Sequence, residues 1–376
     1  MLKGVNLTLM IGPAVPVPVP QVVLDALTSV TVKTTSGETA SGFELTFTLS
    51  NRSPLHTIFL LSAGAMPPVM RVIVVVTFNG TPCVLMDGVM LNHAVSPGSD
   101  SSHSVLTIKG KDLTALMDVF DFSGISYPAM PDFARVALIL AKYGALGIVP
   151  MTIPEIMTDI DVPIKRIPKH KGKDLAYIKE LAEKAGYVFY LDPGPQPGMS
   201  IAYWGPEIKV GIPQPALNIN MDAHTNVESL SFIMDKEKKE MPVVYIQNPI
   251  TKSPLSIPIP DITPLNPPLG LIPPIPPKIK RLKYTAKLSA VKAVLEGLAY
   301  ASSHADAVFG TGSLDVVRYG RILKARQLVG VRGAGTAFDG LYYVRSVTHS
   351  IKRDEYKQNF ELARNGLVST VQQVPA

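Results

Sequence analysis

Two histidine–aspartate pairs have residue types and spacings that could hold a metal ion. Asp222 and His224 are two residues apart, as are His304 and Asp306, and both carboxylate and imidazole are zinc ligands. A complete site needs three or four converging groups, and neither pair has a further candidate beside it in the sequence. The spacing therefore predicts no metal site.

Asp159 and Asp161 are the nearest candidates for the two carboxylates that hydrolyse a glycosidic bond. The separation of such a pair is set in space, so the sequence leaves this possibility open. The nucleophile elbow G-x-S-x-G, the zinc helix H-E-x-x-H and the phosphate loop G-x-x-x-x-G-K-[ST] are all absent from the sequence. The glycine-rich run GVRGAG at residues 330–335 lies between strand-like segments and opens no helix, which predicts a turn. We expect no catalytic residue, no cofactor and no enzymatic activity.

The single cysteine and the remaining histidines add no reactive cluster. A lone Cys83 excludes an internal disulfide and a cysteine-based metal site, and we expect it to behave as a buried apolar residue. His349 is centred in a strand-like run and is expected to be a packed or interstrand polar residue. The seven histidines are scattered: His56, His93, His103, His170, His224, His304 and His349.

Residues 316–366 carry an excess of positive charge equal to that of the whole chain. This stretch has ten Lys or Arg and four acids, a balance of +6, and the full chain is also +6. One interpretation places the cations on solvated strand faces and turn tips, or makes them gatekeepers against edge pairing. The other is a basic surface for a partner or a polyanion. The ten are Arg318, Arg321, Lys324, Arg326, Arg332, Arg345, Lys352, Arg353, Lys357 and Arg364.

The elements that position these residues are mostly strands. Residues 316–366 form three runs rich in Val, Tyr, Ile and Leu, separated by turns at 333–340 and 352–355, which predicts an antiparallel meander. Near the N-terminus, Phe43, Leu45 and Phe47 alternate with polar residues, which indicates a strand with one buried face. Asn79-Gly80 predicts a hairpin. The first part of the chain is expected to hold strands at residues 30–34, 42–49, 71–78, 81–90 and 104–108.

Four helices are expected. Asp112 can cap the first, and Asp132 precedes a second that should stop at Gly144. Residues 173–186 form an amphipathic helix followed by two short strands, and residues 285–307 form an alanine-rich helix.

Prolines interrupt the pattern twice. GPAVPVPVPQVV near the N-terminus is expected to run extended. Residues 249–277 hold eleven prolines, so this segment should run extended without joining a sheet or helix. It is expected to lie on its own or a neighbouring subunit, with a PxxP ligand for a separate domain as the alternative.

Length and composition allow two or three domains. The chain has 376 residues, 34 of them proline and 28 glycine, with only 7% aromatic residues. The apolar runs 58–70 and 72–78 are interrupted by prolines and by Arg71, so no membrane span is expected. The N-terminus offers no cleavable apolar region, which predicts synthesis and assembly in the cytoplasm.

We divide the chain into five parts. Residues 1–111 form a first tube-like barrel, and residues 112–215 form an inserted α+β module. A second barrel comprises residues 216–248 and 316–366, interrupted by a proline-rich connection and helix at 249–315. Residues 367–376 form a tail. The fold class is therefore mainly β with α+β insertions and two tube-like antiparallel barrels.

Four segments carry a resemblance to a known family. In order they are SVLTIKGKDLTALMDVF, DFARVALILAKYG, GKDLAYIKELAEKAGYVFYLDPG and FDGLYYVRSVTHSIKRDEYKQNFELARNG. Their succession is similar to that of the phage late control protein D and VgrG-like baseplate hub family, over roughly residues 106–366. Unlike full-length VgrG proteins, the sequence ends about ten residues after Gly366 without an OB-fold or a repetitive spike.

The resemblance implies a hub (spike-base) architecture in a contractile tail or injection system. Three copies would form a ring that matches a sixfold inner tube or tube-initiator protein above and a threefold spike below. The spike would be a separate protein, and other baseplate or LysM-type proteins are further expected partners. The particle would be a phage tail or a tail-like device, either released or membrane-anchored, with no direct membrane insertion by this chain.

Two alternatives come from other functional classes. The helix and hairpin at about residues 170–205 look like a LysM-type module, which would suit a tail-associated peptidoglycan-binding or cell-wall-degrading protein. The sequence pI near 9.1 would suit a nucleic-acid-binding protein, although no such module is recognisable and nucleic acid is not an expected partner.

Overall fold

The structure, a computed structural model, describes most of the chain. The described residues are 4–13, 15–37, 39–49, 55, 70–97, 104–155, 167–247, 251, 253–260, 267–282, 285, 288–371 and 374. Asp159 and Asp161, the candidate glycosidase pair, lie outside them.

Strands dominate the described residues, so the mainly β prediction is confirmed. They are β1 Val5–Pro13, β2 Val17–Pro18, β3 Leu27–Thr35, β4 Gly42–Leu49, β5 Met70–Phe78, β6 Thr81–Pro97, β7 Ser104–Asp112, β8 Ile148–Thr152, β9 Val188–Pro193, β10 Ser200–Gly205, β11 Gln214–Asn218, β12 Ser229–Met234, β13 Glu240–Gln247, β14 Pro254–Pro258, β15 Gly270–Ile272, β16 Lys278–Arg281, β17 Val308–Asp315, β18 Leu328–Arg332, β19 Gly340–Lys352, β20 Glu355–Arg364 and β21 Leu367–Ser369. The helices are α1 Gln21–Ala26, α2 Asp132–Ala141, α3 Asp174–Ala185, α4 Ala290–Ser303 and α5 Val316–Tyr319.

A 13-stranded sheet forms the body of the protein. Its main path runs β12-β17-β20-β19-β3-β4-β7-β6-β5-β1-β2, and β18 and β11 extend from β19. All pairs in this sheet are antiparallel except β11 with β18. Asn79 and Gly80 both have positive φ between β5 and β6, which confirms the predicted hairpin.

The two expected barrels share one continuous sheet. β19 pairs with β3 over seven residue pairs, from Ser346 opposite Thr35 to Lys352 opposite Ser29. Strand pairing among the described residues therefore joins the N-terminal and C-terminal halves, and it closes no barrel within one chain. One apolar core also runs through both halves, with Leu45 and Phe47 from the first and Tyr342 and Phe360 from the second.

The inserted module has its own sheet and its own core. Its sheet order is β8-β10-β9, and α2 and α3 pack with it around Trp204, which is fully buried. The predicted helix at 173–186 is confirmed as α3. It ends at Gly186, whose φ of +68° is the left-handed conformation that glycine adopts readily.

The predicted cap at Asp112 is confirmed, on a short 3₁₀ helix, whereas the predicted helix end at Gly144 is wrong. Asp112 caps a short 3₁₀ helix, Leu113–Asp118, by accepting a hydrogen bond from the Thr114 N–H at 3.1 Å. α2 ends at Ala141, before Gly144, because Gly144 begins a separate 3₁₀ turn.

The proline-rich segment joins sheets after all. β14 pairs with β13 in the three-stranded sheet β14-β13-β16, and β15 pairs with β21. Pro254 and Pro258 stand at the two ends of β14, which is an edge strand and therefore tolerates them. α4 packs on this sheet around Val244 and Ile259. The segment thus lies on its own chain.

Two strand assignments also need correction. Residues 316–319 form the short helix α5, which ends at Gly320 in a left-handed conformation. The strand expected from residue 316 onward is therefore limited to β18. Residues 21–26, expected to be partly extended, are helical, and the Pro20 carbonyl accepts from the Val23 N–H at 2.9 Å at the start of this helix. The five-part domain division stays a prediction. No helix in the described part of the chain has the length and apolarity needed to cross a membrane.

Candidate functional site

One face of the central sheet is polar across eight adjacent strands, and we name it the polar sheet face. Residue pairing places these side chains on one side, because strand side chains alternate with period two. The strands belong to both halves: β12, β17, β20 and β19, then β3, β4, β7 and β6. Its members include Ser29, Thr31, Lys33, Glu44, Thr46, Asn92, Ser96, Thr107, Lys109, Ser229, Ser231, Thr311, Ser313, Ser346, Thr348, Ser350, Lys357, Asn359 and Glu361.

Hydroxyl groups set the chemistry of this face. Ser229 Oγ lies 2.8 Å from Ser313 Oγ, and Ser231 Oγ lies 3.0 Å from Thr311 Oγ1, so neighbouring strands are joined through their side chains. A shallow concavity of about 390 Å³ lies over this region. Sequence reasoning missed the face, although serine and threonine at every second strand residue signalled it.

Two lysines of the polar sheet face are paired with carboxylates. Lys109 Nζ lies 3.0 Å from Glu44, and Lys357 Nζ lies 3.0 Å from Glu355 and 3.1 Å from Glu228. The hydrogen bonds that Lys357 donates to Glu355 and Glu228 raise the pKa of Lys357. The face is therefore hydroxyl-rich with balanced charge, and it lacks the concentrated positive potential that binds a polyanion.

Both ends of this eight-strand array are open edges among the described residues. β12 pairs only with β17, and beyond Val89 β6 pairs only with β7. On the projecting part of β6, Val95 lies on the core side opposite Leu106, and Leu91 lies at a bulge. Both are 49% exposed, although Leu106 and Ile108 on β7 are fully buried. Apolar side chains on the core side of a sheet edge are exposed where the chain itself supplies no cover.

Several cations of residues 316–366 are structural. Arg364 is fully buried, donates to the carbonyl oxygens of Asp339 at 2.9 Å and Ala337 at 2.5 Å, and stacks on Tyr342. Burial lowers the pKa of Arg345. Neither the solvated-face nor the basic-surface interpretation predicted these interior roles.

Arg326 joins the second half of the sheet to the first half and to the module. Its Nε donates to the Thr35 carbonyl at 2.8 Å, and one terminal nitrogen donates to the Leu191 carbonyl at 3.1 Å and to Asp192 at 2.9 Å. The guanidinium group also lies 3.9 Å from the centre of the Tyr190 ring. One buried side chain thus fixes three parts of the chain relative to one another.

Lys209 makes a second buried connection, which involves Asp306, one of the candidate metal ligands considered from the sequence. Its Nζ lies 2.8 Å from Asp306 Oδ2 and 3.2 Å from Glu207, so Asp306 is engaged in an ion pair. The two carboxylates raise the pKa of Lys209 despite its burial. His304 instead stacks on Tyr300, with ring centres 4.1 Å apart.

The other predicted candidates form no site either. Asp222 and His224 are exposed in a short 3₁₀ turn. Within the described ranges, no three His, Cys, Asp or Glu side chains are grouped so that they could hold a metal. Gly333 and Gly335 have positive φ after β18, which confirms the turn. Cys83 is half-buried and free, and burial raises its pKa.

His349 is an interstrand polar residue, as predicted. Gln358 Nε2 lies 3.3 Å from His349 Nδ1 and also donates to the Leu323 carbonyl, while Gln358 Oε1 accepts from the Leu323 N–H. Since this amide nitrogen can only donate, Nδ1 is the acceptor and the imidazole is neutral. Tyr356 OH lies 2.8 Å from the same Nδ1.

A buried acid–base group inside the module was not anticipated. His170 Nε2 lies 2.9 Å from Asp174 Oδ1, and Tyr143 OH donates to Asp174 Oδ2 at 2.7 Å. Lys142 Nζ lies 2.6 Å from the same carboxylate. The side chains of His170 and Asp174 have no exposed surface, so they orient the start of α3 rather than meet a substrate.

No family profile and no curated protein sequence matches this chain. Solved structures do match. A tail protein from Neisseria meningitidis superposes with a TM-score of 0.64 at 13% identity, covering 97% of this chain and 98% of that one. A 43 kDa tail protein of prophage MuSo2 from Shewanella oneidensis gives 0.62 at 12% identity, covering 96% and 98%.

A chain of the Francisella PdpA–VgrG complex also superposes, with a TM-score of 0.60 at 9% identity, covering 100% of this chain and 60% of that one. The protein therefore shares its fold with phage tail proteins and with a chain of a VgrG complex. This confirms, at the level of fold, the resemblance that the sequence motifs carry.

Proposed function

We propose that this protein is a structural hub of a contractile tail or injection system, in which three copies form a ring around a central channel. The observation that carries the proposal is the polar sheet face, which extends over eight adjacent strands and both halves of the chain. A channel wall needs such a face, because its inner side meets water or a passing molecule while its outer side packs on a core.

The open edges of the array support ring closure. β12 of one copy would pair with the projecting part of β6 of the next, which satisfies backbone groups on both edges. The same contact would cover Leu91 and Val95, whose apolar side chains are exposed in the single chain. Ring closure therefore accounts for two open edges and one apolar patch with one interface.

The division of the face supports the match between sixfold and threefold symmetry. The N-terminal half contributes β3, β4, β7 and β6, and the C-terminal half contributes β19, β20, β17 and β12. We propose that these are the two tube-like units, so that three copies present six four-stranded units. A sixfold tube could then stack on one end and a threefold spike on the other.

We further propose that the chain acts without catalysis and that its partners are a separate spike, an inner tube or tube-initiator protein, and other baseplate or LysM-type proteins. Extended interfaces would supply the binding free energy.

Native mass spectrometry of the purified chain, alone and with its spike protein, tests the proposal. We expect a threefold stoichiometry. A chain that stays monomeric under both conditions overturns the ring.

A further inference from the structure

We infer that a cleft beside the polar sheet face is a docking site for a cationic, partly apolar segment of a partner protein. The cleft has a volume of about 820 Å³ and lies between α3, α4 and the strand ends of the sheet. We name it the rim cleft. All of its lining residues belong to one chain, so the inference goes beyond the proposed ring and does not depend on it.

The rim cleft opens at one end of the polar sheet face. Phe309 lines it, and Phe309 pairs with Ile233 on β12 and with Ala363 on β20, at the end of the array nearest the module. Ser36 and Gly37, which follow β3, line it from the other half. A protein that stacks on this end of the sheet would therefore meet the cleft.

Charge favours a cationic occupant. Five carboxylates line the cleft, those of Glu183, Glu207, Glu237, Glu240 and Asp306, against three cations, those of Lys179, Lys238 and Arg345. With Lys209, which contacts two of these carboxylates, the balance is five acids to four cations, so the cleft is net negative by one charge in a chain whose formal charge is +6. α3 and α4 also end at the cleft, and a helix C-terminus carries partial negative charge.

The floor of the cleft is short of positive charge. Glu207 and Asp306 share the single buried ammonium group of Lys209, which leaves one negative charge in excess. A buried charge is unfavourable unless it is paired, and burial raises the pKa of Glu207 accordingly. A lysine or arginine of a partner would supply the missing charge.

Apolar groups at the cleft give the segment its second property. Ala182, Val188, Phe189 and Ala299 line it together with Phe309. The Phe309 ring already accepts a cation, since Lys238 Nζ lies 4.1 Å from its centre. Aliphatic side chains beside a lysine or arginine would therefore find both kinds of contact here.

Fluorescence anisotropy with the full chain and two labelled dodecapeptides tests this inference. One peptide alternates lysine with leucine and alanine, and the other replaces every lysine with glutamate. We expect the lysine peptide to bind and the glutamate peptide not to bind. Equal binding of the two peptides, or no binding of the lysine peptide at millimolar concentration, overturns the inference.

Variants locate the binding. Removing a rim carboxylate should weaken binding about 1.5- to 5-fold, so Glu183→Gln with Glu237→Gln should raise the Kd roughly 2- to 25-fold. Glu44→Gln with Glu355→Gln removes the same charge from the polar sheet face, away from the cleft, and should leave the Kd unchanged. Equal effects of the two double variants would place binding elsewhere and overturn the inference.

A steric pair of variants provides an independent readout. Ser302→Trp fills the cleft from α4 and should reduce binding at least 10-fold. Val291→Trp places the same side chain at an exposed position of α4 outside the cleft and should have no effect. The peptide experiments do not report on ring stoichiometry. A negative result would therefore overturn the docking site and leave the ring proposal to be tested by native mass spectrometry.

Discussion

Arg71 and Asp87 form a bidentate ion pair between neighbouring strands, with Nε 2.7 Å from Oδ1 and a terminal nitrogen 2.6 Å from Oδ2. The same terminal nitrogen donates to the carbonyl oxygens of Leu146 at 2.8 Å and Gly198 at 3.1 Å, both in the module. Arg71, Arg326 and Lys209 are thus three buried cations that hold the module on the sheet.

Arg71→Met should destabilise the protein by about 3–5 kcal/mol, because it leaves the Asp87 carboxylate buried without its partner. Urea unfolding measures the loss. Lys109→Met is the matched control, since its partner Glu44 is solvent-accessible and such pairs contribute about 0–1 kcal/mol. Adding Asp87→Leu to Arg71→Met should recover part of the stability. Similar losses for Arg71→Met and Lys109→Met would contradict the buried role.

His349 should make stability depend on pH. Burial lowers its pKa from 6.5 to about 3, so between these values the unfolded chain binds a proton that the folded chain does not. Stability is therefore lost as pH falls below about 6.5, by about 2 kcal/mol at pH 5. His349→Gln should remove this component, whereas the exposed His224→Gln should keep it. Unfolding curves at pH 7 and pH 5 provide the comparison, and an unchanged pH dependence in His349→Gln would refute it.

Alanine substitutions at Gly186 and Gly172 distinguish the free-energy cost of a left-handed backbone from the cost of close packing. Both have a φ of +68°, but a Cβ at Gly186 would lie 2.5 Å from Ala299 Cα, whereas nothing lies within 4 Å of a Cβ at Gly172. Gly172→Ala should cost about 1 kcal/mol for the left-handed conformation alone. Gly186→Ala should cost about 2–4 kcal/mol, because α3 and α4 must also move apart. Thermal unfolding of the two variants measures both costs. Equal losses of stability would show that α3 and α4 accommodate the added Cβ without cost.

Leu91→Lys with Val95→Lys should block ring closure without unfolding the chain. Both residues are exposed on the edge of β6, and lysine on an edge strand opposes pairing with another strand. Light scattering should show the loss of the threefold species. Leu138→Lys, an equally exposed position on α2, is the control and should retain it. If the double variant still forms trimers, the copies meet through another surface.

The sequence by itself determined the local elements and their faces. Alternation of Phe43, Leu45 and Phe47 with polar residues marked β4, Asn79-Gly80 marked a hairpin, and Gly186 marked the end of α3. These signals are short-range, since periodicity and turn chemistry act within a few residues. The order of these elements also carried the resemblance to the hub family, which the shared fold supports.

Only the tertiary structure decided which strands meet and which polar groups are buried. Ser346 pairs with Thr35 across more than 300 residues, and this pairing merges the two expected barrels into one sheet. Periodicity assigns each strand a face, but it cannot choose the strand's neighbour, because that choice depends on packing across the whole core. For the same reason, the sequence showed Arg326 and Arg364 only as part of the positive charge excess of residues 316–366. In the structure both are buried and donate to carbonyl oxygens distant in sequence, which makes them structural.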